Sequence, residues 1–241
     1  VANRDQLALR FPHRPAYRLF LPADSNAQAR AWLGRAAEWP DGRLALWGEA
    51  GCGKSHLLRV WAQQLPILEG AQLATLHPPG DLAPGDLAID DADHADPHAL
   101  LHLLNGCAEA GHRVVLAGRL PPARWQTGLA DLDSRLRAML AISIAPPEDS
   151  LLEALLAQLL AERQMEVSPG LLAWLCRRAP RTAQAMRQAA ELLDIASLAA
   201  HGPVTRTIAA EIVAILAPDH GGDEDLSKIA DPPSPGGADL A

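Results

Sequence analysis

Aromatic side chains make up only 4% of this 241-residue chain, with one tyrosine and two phenylalanines beside six tryptophans. Its core must therefore be built from Leu, Ala, Val and Ile, which suits α/β layers and helical bundles. Cysteine is scarce too. Cys52, Cys107 and Cys176 are scattered, odd in number and without metal-ligand spacing, which excludes a disulfide framework and a cysteine zinc site and fits a reducing cytoplasm. No apolar run reaches membrane-spanning length and no leader pattern stands out, so the expectation is a soluble cytoplasmic protein. Positive charge is in deficit: 21 Lys and Arg face 29 Asp and Glu, a formal net charge of −8. Residues 217–241 hold six acids and one lysine and carry most of that excess. The rest is near balance, without the basic footprint of a duplex-binding domain.

What the chain does hold is Gly48-Glu-Ala-Gly-Cys-Gly-Lys-Ser55, which meets every fixed position of G-x-x-x-x-G-K-[ST]. Leu44-Ala-Leu-Trp47 before it reads as a short buried strand, and the residues from Ser55 onward have helical spacing with no breaker until Pro66. In that setting backbone N–H groups turn toward a β-phosphate, Lys54 reaches the β/γ oxygens, Ser55 ligates Mg²⁺, and the new helix points its positive end at the anion. Gly48, Glu49, Ala50, Gly51, Cys52, Gly53, Lys54, Ser55 and His56 are thus the candidate contacts for ADP or ATP with Mg²⁺. Trp47, Cys52 and His56 are given packing roles beside it. A second apolar strand, Leu87-Ala-Ile-Asp-Asp-Ala-Asp93, ends in carboxylates. Asp90 is placed to hold the metal through water and Asp91 to polarise the attacking water.

Residues 1–14 read as an arm, because the apolar hexapeptide Gln6-Leu-Ala-Leu-Arg-Phe11 is set off by Pro12 and Pro15. It is either an edge strand over this chain's own core or a linear peptide for a partner's groove, with Leu9 and Phe11 filling an apolar pocket. A helix from Asn26 leads to Pro40-Asp-Gly42. A second strand is expected at Gln72–Leu76, then a break over His77–Asp86, a helix at Asp96–Ala110, a strand at Arg113–Ala117, a helical stretch Leu129–Ala138 and a last strand at Ala141–Ile144. That alternation predicts an α/β parallel sheet over residues 15–146 with its ligand at the carboxyl ends of the strands. After Pro146-Pro147 the pattern is purely helical, with helices at Glu148–Gln164, Pro169–Arg178, Thr182–His201 and Thr205–Leu216. Residues 147–216 thus read as a small helical lid. The Pro-, Gly- and Asp-rich residues 217–241 read as a disordered acidic tail.

A nucleotide-binding α/β layer followed by a helical lid resembles the AAA+ arrangement. G-E-A-G-C-G-K-S-H-L-L at Gly48–Leu58, I-D-D-A-D at Ile89–Asp93, L-A-G-R-L-P-P at Leu116–Pro122, L-D-S-R-L at Leu132–Leu136 and R-A-P-R-T-A-Q-A-M at Arg178–Met186 resemble its DnaA branch. Two features are similar to the Hda type, the DnaA-related regulatory inactivators. Those proteins open with a clamp-binding peptide Q-L-x-L-x-[LF], matched here by Gln6, Leu7, Leu9 and Phe11, and they lack the initiator's C-terminal duplex-binding domain. The resemblance implies a protein that binds ADP, rides on the sliding clamp loaded on DNA, docks on ATP-bound DnaA and promotes hydrolysis there. It leaves self-association as a homodimer open. Arg135 matches the family's arginine finger, supplied in trans, with Arg137 as the fallback. Arg181 matches the sensor 2 arginine, with Arg178 and Arg187 as neighbours. Arg119 departs from the family, which has Asp in that sensor 1 turn, and this predicts weak or absent intrinsic ATPase activity. The alternatives are a DnaC-like helicase loader, which needs a basic or aromatic groove for single-stranded DNA, and a free-standing motor ATPase.

Overall fold

Strands of this chain alternate the faces to which their side chains are sent. Ala45, Leu87, Ile89, Val114 and Leu116 enter one buried cluster, while Leu44, Leu46, Ala88, Val115 and Ala117 enter another. A period of two, apolar on both sides, is what a sheet covered on both faces requires. The computed structural model describes residues 21–63, 65–75, 85–200 and 202–216. The candidate clamp-binding peptide Gln6–Phe11 and the predicted acidic tail 217–241 lie outside the described residues. Five parallel strands, β1 (Arg43–Trp47), β2 (Ile67–Glu69), β3 (Leu87–Asp90), β4 (Val114–Gly118) and β5 (Leu140–Ser143), lie in the order β2-β3-β4-β1-β5.

Two helices, α1 (Ala27–Leu33) and α2 (Lys54–Ala62), supply Ala29, Leu57 and Leu58 to one face. Two others, α3 (Pro97–Ala110) and α4 (Ala130–Ala138), supply Leu100, Leu104, Leu132 and Leu136 to the other. Leu58, Ile89, Leu104 and Leu116 are fully buried, each contributing roughly 1.5–3 kcal/mol over exposure.

The second strand is not where the sequence places it. Ile67–Glu69 pairs with β3, whereas residues Gly70–Thr75 form a 3₁₀ segment that buries Leu73. Pro66 starts this ladder by accepting from the Ala88 N–H at 3.0 Å. As the edge of the sheet, β2 tolerates a proline at its start because no inner neighbour needs its missing N–H. Gly70 then passes so close to the Asp91 backbone that a side chain there would collide with it.

Four helices follow: α5 (Asp149–Ala161), α6 (Pro169–Arg178), α7 (Ala183–Ala200) and α8 (Arg206–Leu216). They share their own core of Leu152, Leu156, Leu160, Leu175, Met186, Leu193 and Ile212. Ser168 and Thr182 accept from the Leu171 and Ala185 N–H groups and cap α6 and α7. At α5 the N-cap residue is Glu148, and its side chain makes no cap bond. Its carboxylate instead accepts the Ser25 N–H and O–H, tying the start of the helical unit to the α/β layer. Among the described residues, no helix is long and apolar enough to cross a membrane.

Candidate functional site

The phosphate loop, the acidic turn after β3 and the turn after β4 all leave the carboxyl edge of the sheet. From β1 the chain enters the glycine loop, where Gly51 and Gly53 have φ of 81° and 107°, conformations that cost a side-chain-bearing residue dearly. Lys54 is 6% exposed, and its ammonium donates to the carbonyls of Gly48 at 2.7 Å and Glu49 at 2.9 Å. These carbonyls replace the water it has lost. Gly53 faces open space, and α2 begins at Lys54 with its first N–H groups toward the loop. A glycine loop, a buried ammonium and a helix N-terminus fit a nucleoside di- or triphosphate. Cys52 is buried among Leu57 and Leu58, as its packing role requires. Burial pushes its thiol up against the lowering influence of Lys54, which works against a reactive thiolate.

Beside the loop, β3 delivers Asp90, 5% exposed, whose Oδ1 accepts the Asp91 N–H. Asp91 is exposed, in a left-handed turn at φ 46°. The half-buried Ser55 hydroxyl and the Asp90 carboxylate are hard oxygen donors of the kind Mg²⁺ takes. Sequence reasoning missed Glu69, which the register sets opposite Asp90. Desolvation, then the charges of Asp90 and Asp91, push its carboxyl up. With β2 placed five residues too late, nothing in the sequence could bring Glu69 to this edge.

The turn after β4 is held by its backbone. The Arg119 N–H donates to Asp93 Oδ2 at 2.9 Å, while the residue itself is exposed. His94 Nδ1 lies 3.4 Å from the other oxygen of Asp93.

The helical unit reaches the loop at Thr182. A Cβ built on Gly51 would meet the Thr182 methyl at 2.5 Å. The neighbouring Arg181 is exposed and pairs with Asp149 at 2.6 Å, donating also to the Pro147 carbonyl at 3.4 Å. Arg178 points elsewhere, its guanidinium 4.6 Å from the ring centre of Trp174. On α4, Leu132 and Leu136 face inward. Arg135, one-third exposed, donates through Nε and Nη2 to the two oxygens of the Asp131 carboxylate one turn back, at 3.1 and 3.4 Å. The exposed Arg137 lines a cleft of about 600 Å³ with Arg124, Trp125 and Asp133. Arg135 and the phosphate loop lie on helices of opposite sheet faces.

No family model matches the chain. It is 31% identical over 221 residues to the chromosomal replication initiator protein DnaA of Sphingopyxis alaskensis, with 79% of this chain and 49% of that protein covered. The chain thus spans about half the length of that relative. Domain III of the Thermotoga maritima replication initiation protein DnaA superposes with a TM-score of 0.71 at 18% identity, covering 86% of this chain and 99% of that one. AMPPCP-bound DnaA from Aquifex aeolicus gives 0.60 at 17% identity, with 75% and 66% covered. The Thermotoga maritima RuvB branch migration motor gives 0.59 at 19%, with 82% and 72% covered. With its phosphate loop, five-stranded parallel sheet and helical lid, the chain has the AAA+ fold, and over 79% of its length it is similar in sequence to a DnaA.

Proposed function

We propose that the chain is an Hda-type adaptor. It holds ADP in its own phosphate loop, rides on the DNA sliding clamp through Gln6, Leu7, Leu9 and Phe11, and docks on ATP-bound DnaA to promote hydrolysis there. Contact with DNA is indirect, through the clamp. The observation that carries this reading is the placement of Arg135. Its helix packs on the sheet face opposite α2, which suits a guanidinium used on a neighbour's nucleotide rather than its own. Supplied in trans at the γ-phosphate, such a charge accelerates phosphoryl transfer by roughly 10³–10⁵. The Asp131 pairing limits the rotamers Arg135 must give up on docking.

In its own site, Lys54 binds the β/γ oxygens, Ser55 and Asp90 hold Mg²⁺, and Asp91 orients a water. Bound Mg²⁺ offsets phosphate charge. Arg181 exchanges Asp149 for the phosphates, coupling nucleotide to lid angle. The exposed Arg119, in place of an acid, leaves the water poorly positioned, so the protein's own ATP turnover is slow. The test is single-turnover phosphate release from ATP-loaded DnaA with clamp on DNA. Addition of the chain accelerates release, and Gln6→Ala with Leu9→Ala abolishes both the acceleration and coelution with the clamp. An unchanged rate with the parent chain would refute the proposal.

A further inference from the structure

Away from the nucleotide loop, one indole carries two guanidiniums. Arg178 of α6 lies 4.6 Å and Arg206 of α8 lies 5.3 Å from the ring centre of Trp174. Both arginines are exposed, and neither has a carboxylate partner among the described residues. The buried Trp174 Nε1–H has no acceptor there either. Arg178 sits in the last turn of its helix, where the dipole favours a cation, but Arg206 is the first residue of α8, where the dipole opposes one. Two like charges on one ring, one of them at a positive helix end, make a site that favours an anion with several oxygens.

The sequence supplies such an anion close by. Residues 217–241 hold six acids and one lysine, three of the acids contiguous as Asp223-Glu224-Asp225. They leave from the far end of α8, about 15 Å from Arg206 at 1.5 Å per residue. Asp219, three residues beyond Leu216, spans at most about 10 Å of backbone, short of that 15 Å. Asp223, seven residues beyond, spans up to about 25 Å and can cover it. We propose that Trp174, Arg178 and Arg206 form a docking site for the Asp223-Glu224-Asp225 carboxylates of the same chain, which covers the lid's cationic face. This is independent of clamp binding and of Arg135.

Cys52, Cys107 and Cys176 are all buried, so a nitroxide on Ser227→Cys in the full chain, beside the acidic run but not part of it, can be attached selectively. The indole N–H resonance of Trp174, assigned with Trp174→Phe, is then compared with the nitroxide oxidised and reduced. Broadening is expected at low salt, and its loss is expected in about 1 M salt, where the screening length falls to about 3 Å. Arg178→Glu with Arg206→Glu should also remove it. So should Asp223→Asn with Asp225→Asn, which changes no lid residue and needs no refolding of the lid. An unbroadened indole in the tagged parent, or broadening that survives the Asp-to-Asn changes, overturns the proposal. So does equal broadening between a tagged unlabelled copy and an untagged labelled one, which would place the contact between chains.

Discussion

Replacing Gly51 with alanine tests how the helical unit meets the phosphate loop. At φ 81° a Cβ costs about 1–2 kcal/mol. The new methyl would also lie 2.5 Å from Thr182 Cγ2 and 2.9 Å from Thr182 Cβ, and crowding of that kind costs a further ~1–3 kcal/mol. Only the second part depends on Thr182. Thr182→Ser removes Cγ2 but keeps the hydroxyl that accepts the Ala185 N–H at 3.0 Å, so on its own it costs no more than about 0.8 kcal/mol, one methyl. In the Gly51→Ala background it should instead restore about 1–2 kcal/mol. Urea unfolding of the four members of the cycle measures this coupling, with m held constant. Additivity within ~0.5 kcal/mol would mean that the methyl and the loop do not touch, and the lid contact would be wrong.

Lys54→Ala should weaken MgADP binding by about 10–150-fold, the equivalent of one or two hydrogen bonds from a charged donor, as read by calorimetry. Glu69→Gln should raise stability at neutral pH. The folded environment pushes this carboxyl up, so the penalty is present above its folded pKa and vanishes as pH falls below the ordinary carboxylate value of about 4.3; urea midpoints at the two pH values check this. Glu148 runs the other way. The Ser25 hydroxyl bond, chiefly, holds its carboxyl down, so its contribution is present above about 4.3 and is lost as pH falls through the lower folded value. Ser25→Ala should therefore flatten the acid limb of the stability curve. Cys176, pushed up to about 11 by burial and by Glu153 and Asp149, should react with a disulfide reagent at pH 8 only on unfolding, followed by thiol titration in urea.

What the sequence made legible follows from which information is local. The phosphate loop could be read because its chemistry fixes residue types at fixed spacing, and α6 because Ser168-Pro169 is a cap followed by the proline it favours. β1, β3 and β4 could be read from apolar runs that had to be covered on both faces. β2 could not, because three residues after Pro66 become a strand only through pairing with β3, and Glu69 was lost with it. Long-range pairs were equally hidden. Nothing local joins Ser25 to Glu148, Asp149 to Arg181 or Gly51 to Thr182, since the first and last exist only once the lid has met the α/β layer and the second only once the lid's own helices have packed. On α4 the spacing of Leu132 and Leu136 put Arg135 at the edge of the buried stripe and Arg137 outside it. That arrangement was implicit in the sequence, but the role of Asp131 was not.

The central claim is that this molecule acts on a partner's nucleotide through one guanidinium. Single-turnover phosphate release from ATP-loaded DnaA, with clamp on DNA, should therefore be compared for the parent chain, Arg135→Ala and Arg137→Ala. The account predicts that Arg135→Ala removes roughly 10³-fold or more of the acceleration, with clamp binding and ADP affinity intact, while Arg137→Ala stays near the parent rate. Equal rates for Arg135→Ala and the parent would contradict it.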